Sequence, residues 1–288
     1  MPVDGPIPES VFTLVAAATI FTVMFDLGLK IAAREYEWAG RHIGLLLKGL
    51  FAVLVAVPAM AVIATQAFEL PRAATVGIVL MALSPGAPVA LRRSLEAGAE
   101  ASFAPMLQIA VAALAIVSMP LTIAVLNEYY AGQAVIAPRD LAWQVFFAQF
   151  LPLGLGMLAR RLLPRVAARA APWVNRAATI LLVALVFLAL ANMWQVVVGA
   201  WPRAVLCVVL VTVLALAAGH ALGGPDAQTR TAVAISSAVR NPGLALVVAT
   251  VNNAPPAVMA TVLAYLVISA FTVLPYVFWR RRVAARQG

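Results

Sequence analysis

The sequence has one cysteine, Cys207, two histidines, His42 and His220, and only two lysines among its 20 basic residues. A lone cysteine excludes an intrachain disulfide. The histidines are far apart, with no carboxylate or thiol pattern beside them to hold a metal. No nucleophile is paired with a base and there is no phosphate-binding loop, so nothing points to an enzyme or a cofactor. Charge is scarce too. Only 11% of the 288 residues are charged, whereas a soluble domain carries about a quarter.

What is present is apolar. The hydrophobic share is 64% and the mean hydropathy is +0.99, which together indicate an all-α polytopic membrane protein. Apolar windows of about 20 residues mark bilayer spans. Nine are expected, near 10–29, 43–66, 73–97, 101–126, 140–159, 173–197, 202–222, 228–251 and 256–279, the third and eighth interrupted. The links are short and carry turn signals such as GGPD and NNAPP. No soluble domain or low-complexity segment intervenes. The opening MPVDGPIPES is acidic, so the first apolar run is expected to be a retained span.

Basic residues orient such a chain, because they gather in cytoplasmic loops. With the N-terminus outside, 16 of the 20 basic residues fall inside, three (Arg72, Arg139 and Arg203) fall outside, and Arg240 lies within a span. The net charge of +9 is therefore a topology signal. The run RRLLPRVAARAAP reads the same way, with contact to anionic headgroups. It lacks the aromatic interleaving that nucleic-acid binding would want, so no nucleic-acid partner is expected. Arg far outnumbers Lys and Ala is abundant, which fits a GC-rich bacterial genome and an inner-membrane location.

Arg240 sits in AVAISSAVRNPGLALVVATV, beside Asn241, Pro242 and Gly243. A charge at membrane depth is costly and faces the protein interior or a water-filled cavity. Pro and Gly there end or kink a helix and free backbone groups. The third window holds a matching break, Ser84-Pro85-Gly86 in ALSPGAPVAL. The two breaks are five crossings apart, so their helices run in opposite directions. Paired breaks in inverted-topology repeats point to the binding site of a secondary transporter. Pro88 suits the first position of a restarting helix, whose free N–H groups form an anion site. The half-helix before Arg240 ends in free carbonyls, which favour a cation. Three roles for Arg240 follow: a built-in cation in that place, a bidentate partner for a carboxylate substrate, or a structural plug for loose carbonyls.

In the order and placement of its spans the chain resembles the bile acid:sodium symporter family. MFDLGLKI is similar to that family's Met-Phe-x-Met-Gly-Leu stretch. SPGAPVAL is similar to its Cys-Pro-Gly-Gly-x-x-Ser-Asn break, and SSAVRNPGLAL to its Glu-x-x-x-Gln-Asn-x-x-Leu break. The resemblance implies inverted repeats in one transmembrane domain over 1–288, with two interrupted helices crossing at the midplane. It implies a panel (spans near 10–29, 140–159 and 173–197) and a core (spans near 43–126 and 202–279). The family's sodium ligands come from the Ser-Asn pair and from the Glu and Gln of the second break. Here those positions hold Ala90, Leu91, Ser236 and Arg240, and only Asn241 and Leu244 agree. Gln108 falls near another expected ligand. Losing a carboxylate and gaining a guanidinium implies that sodium is not bound, since like charges repel at close range.

The candidate substrate or ion site is therefore Arg240, Asn241, Ser236, Pro242 and Gly243 with Pro85, Gly86, Ala87 and Gln108. Asp26, inside the first span, is either a proton-coupling carboxylate or the i,i+4 partner of Lys30, and the second reading is favoured. Gln149, Asn192, Gln195, Tyr265 and Ser269 could line a cavity or join helices by hydrogen bonds. Trp38, Trp173, Trp194 and Trp201 fall near span ends as interface anchors. Glu96 and Glu100 are expected to pair with Arg92 and Arg93. The expected function is secondary transport of a small organic anion (a carboxylate, sulfonate or steroid-like amphiphile) by alternating access. The alternative is a non-transporting sensor or channel-like conduit.

Overall fold

The structure, a computed structural model, describes residues 9–30, 41–86, 88–129, 137–198 and 202–286. Among these there are helices and turns but no strand. In chain order the helices are α1 (Glu9–Leu29), α2 (Ile43–Ala67), α3 (Arg72–Leu83), α4 (Pro88–Glu96), α5 (Phe103–Tyr129) and α6 (Pro138–Leu162). There follow α7 (Pro164–Val198), α8 (Pro202–Leu222), α9 (Ala227–Ala238), α10 (Pro242–Val251) and α11 (Pro256–Ala285). Helices lie over every apolar window, and helix is the form that satisfies backbone groups within one segment in lipid. Six described segments are long and apolar enough to cross a bilayer: α2, Phe103–Leu126 of α5, α6, α8, Ala227–Val251 across α9 and α10, and α11. Leu14–Leu29 and α3 are shorter apolar helices. The protein is a multi-pass membrane protein.

Two helices contain a π-helical turn, Ala52–Ala56 in α2 and Phe146–Phe150 in α6. In each case a proline stands two residues beyond the turn, Pro58 and Pro152. A proline brings no N–H and crowds the carbonyl one turn back, and a widened turn accommodates it.

The chain divides into two compact units. One comprises residues 1–31, 113–199 and 243–263. Within it α1 packs along α6 and α7. The α1–α6 crossing is close because glycines face each other. A Cβ on Gly28 would lie 2.3 Å from the Leu153 carbonyl oxygen, and one on Gly156 would lie 2.3 Å from that of Phe25. Small residues let membrane helices approach this closely. Lys30 Nζ meets Asp26 Oδ2 at 2.5 Å and Asn175 Oδ1 at 2.9 Å, which joins α1 to α7.

The other unit comprises residues 32–112, 200–242 and 264–288. Here α8 packs on α9 and α2, α2 packs on α3, and α4 packs on α9. Gly219 of α8 admits α9, since a Cβ there would lie 2.6 Å from Ala234 Cα. Arg280 of α11 is buried and donates to Thr231 Oγ1 at 2.7 Å and to the Ala227 carbonyl at 2.6 Å. Glu96 pairs with Arg92 at 3.0 Å and with Arg281 at 2.8 Å. Glu100 departs from expectation. Its carboxylate accepts from the backbone N–H groups of Ser102 and Phe103 and so caps the start of α5.

A candidate site where two broken helices meet

Both interruptions are present. The first separates α3 from α4, with Ser84, Pro85 and Gly86 non-helical and buried. Gly86 has φ +81°, a backbone region open to glycine. A Cβ there would lie 3.3 Å from that of Ala112 on α5. Gln108, one turn before Ala112, is 1% exposed. Pro88 opens α4, and Ala87 lies outside the described residues. The second break separates α9 from α10. Val239 is extended at φ −89°, ψ 106°, and Arg240 and Asn241 are non-helical. Pro242 and Gly243 open α10 and are buried. Ser236 is buried near the end of α9. The breaks touch: Asn241 N–H donates to the Ser84 carbonyl at 2.8 Å.

Arg240 completes the contact. It is 2% exposed, and its guanidinium donates only to backbone carbonyls in the bonds observed. Nε reaches Met81 at 3.4 Å, Nη1 reaches Val53 at 3.2 Å and Ser237 at 3.4 Å, and Nη2 reaches Ala82. Each acceptor has a reason to be available. Met81 and Ala82 lie in the last turn of α3 and Ser237 in the last turn of α9, where a helix has no donors left of its own. Ser84 supplies further donors to that end of α3, its Oγ to Leu80 at 2.7 Å and its N–H to Met81 at 3.1 Å. Val53 sits in the π-turn. The Val57 N–H goes to Ala52, and Pro58, the next residue, has no N–H to give. Four carbonyls from three helices thus converge on one cation.

The surroundings explain how a charge is tolerated at this depth. The apolar window of Ala227–Val251 is 89% buried, against 33–44% for the other five segments. Arg240 is therefore shielded from lipid tails by protein. Sequence reasoning placed Arg240 at the carbonyls of its own half-helix, but only Ser237 belongs to that end. Met81 and Ala82 come from the opposite break. Val53 was missed altogether, although Pro58 signals the free carbonyl.

Other predicted residues lie elsewhere. Asp26 belongs to the other unit, buried on α1 and paired with Lys30. Gln149 is buried in the π-turn of α6, Tyr265 is wholly buried on α11, and Ser269 donates to the Leu266 carbonyl at 3.2 Å. Trp173 is 69% exposed. Trp38, Trp201 and the side chains of Asn192, Trp194 and Gln195 lie outside the described residues.

No curated protein matches the chain. The model of the Sodium Bile acid symporter family matches residues 17–200. That stretch takes in the first break, while the second lies beyond it. The match covers well over half of the 288 residues, and the chain therefore belongs to the sodium bile acid symporter family of membrane transporters.

Proposed function

We propose that this protein is a secondary active transporter of a small organic anion, working by alternating access without sodium coupling. The proposed frame is nine spans in two inverted repeats, with the N-terminus outside. The observation that carries the reading is the Arg240 guanidinium among the carbonyls of Val53, Met81, Ala82 and Ser237. Carbonyls at half-helix ends are the groups that coordinate a coupling cation in broken-helix transporters. Here a covalently attached cation uses them, and its charge repels a second cation at close range. The restarting helix α4, with Pro88 at its head, offers its N-terminal N–H groups and partial positive charge to an anion. The built-in cation reading is preferred to a carboxylate clamp, because the observed guanidinium bonds all go to backbone.

The test is uptake of a panel of carboxylates and sulfonates into proteoliposomes, with sodium against choline. Saturable uptake of the same rate in both supports the reading, and a strong sodium requirement overturns it. Arg240→Gln separates the three roles of the arginine, and a variant that loses stability but keeps uptake with no sodium effect supports the structural plug. Uptake that survives and acquires a sodium dependence supports the built-in cation, whereas loss of anion binding in a folded variant supports the clamp.

A further inference from the structure

The segment from Arg160 to Arg176 has no part in the broken-helix site. At 35 residues and about 1.5 Å per residue, α7 is roughly 52 Å long. A hydrocarbon core of about 30 Å needs only some 20 residues. The uncharged stretch of α7 begins at Ala177, so residues 164–176 extend past the core as helix. Arg160, Arg161, Arg165, Arg169 and Arg176 fall in a 17-residue run that contains no Asp or Glu. No ion pair to any of them is observed among the described residues.

The helix face they occupy is defined by burial. Ala167 and Ala178, on one side, are 3% and 5% exposed and face the protein. At 100° per residue, Arg165, Arg169 and Arg176 share the opposite side, and all three are exposed. Val166 and Trp173 lie beside them, exposed by 58% and 69%. The Arg176 guanidinium stands over the Trp173 ring at 5.3 Å. Leu162 and Leu163, in the turn into α7, are exposed as well. Guanidinium forks on one side and an amphipathic aromatic on the flank match a surface that presents phosphates above acyl chains.

We infer that this face of α7 docks the anionic phospholipid headgroups of the adjoining leaflet, with Trp173 and Val166 entering the interfacial region. The occupant is a phosphodiester lipid of net negative charge. Arg165 and Arg169, about one turn apart, hold its phosphate, Arg176 faces a neighbouring headgroup, and the apolar flank distinguishes the lipid from a free anion.

The experiment uses the purified full chain in a neutral detergent. Phosphatidylglycerol, phosphatidylcholine and inorganic phosphate are titrated separately, with unfolding temperature and Trp fluorescence as readouts. Phosphatidylglycerol is expected to raise the unfolding temperature well beyond phosphatidylcholine, and phosphate to leave it unchanged. Arg165→Gln/Arg169→Gln/Arg176→Gln should weaken the apparent phosphatidylglycerol affinity roughly 100-fold. The charge-matched Arg72→Gln/Arg139→Gln/Arg203→Gln should keep it. Equal effects of the two lipids, an effect reproduced by phosphate, or loss of the preference in both triple variants alike would each overturn the assignment. If the first triple variant does not fold, Trp173→Ala must on its own reduce the phosphatidylglycerol preference, and an unchanged preference counts against the site.

Discussion

Arg240 is a residue whose cost and use are visible together. A hydrogen bond to a charged group contributes about 1.5–3 kcal/mol, and a buried carbonyl left without a donor costs about 1–3 kcal/mol. Arg240→Gln withdraws the guanidinium from four carbonyls at once, so it should destabilise the protein by roughly 3–5 kcal/mol. Thermal unfolding in detergent measures this. Arg240→Lys keeps the charge but offers one compact ammonium in place of a fork, and should recover no more than about half of the loss. Asp26 is a different case. Its partner Lys30 is 44% exposed, and such pairs contribute about 1 kcal/mol or less. Asp26→Asn should leave expression and the pH profile of uptake unchanged. A pH dependence lost with expression intact would assign Asp26 to proton coupling instead.

At the level of elements, two close helix contacts carry precise demands. Gly28 on α1 and Gly156 on α6 each admit the partner's backbone where a Cβ would overlap it. Either glycine changed to alanine should lower stability by about 1–3 kcal/mol through forced separation of the helices. The double variant should cost less than the sum, because the first change already opens the contact. Unfolding temperatures of the three variants decide it. The helix breaks were legible because Pro-Gly interrupts an apolar run in only two spans. The partners at those breaks were less so. Reading Arg240 one helix at a time assigns it the nearest carbonyls, whereas the tertiary contact supplies the opposite ones. The π-turn of α2 escaped for a related reason. Pro58 removes one N–H, and only the three-dimensional arrangement shows which side chain replaces it. The start of α7 was read as a basic loop, yet its Ala and Arg residues are strong helix formers and Pro164 opens the helix at its first position.

For the whole molecule, composition alone was enough to recognise a multi-pass membrane protein, since so few charges cannot cover a soluble surface. The family was legible in the resemblance, and the match over residues 17–200, which takes in the first break alone, agrees on the family. Substrate identity was not legible, because the anion site proposed at the first break consists of backbone N–H groups, which select for negative charge and not for the rest of a molecule. An energetic consequence follows from the tethered guanidinium. A mobile co-ion can be carried with its substrate and cancel its charge, but a side chain returns at the end of every cycle. A monovalent anion would then cross as a net charge. An interior-negative potential of 100 mV works against its entry by about 2.3 kcal/mol, enough to balance an outside concentration roughly 50-fold above the inside one. Vesicles clamped with potassium and valinomycin should therefore expel the anion when their lumen is made negative and accumulate it when positive. The same arginine that closes a gap between helices would make the membrane voltage, in place of a salt gradient, the force that sets which way cargo flows.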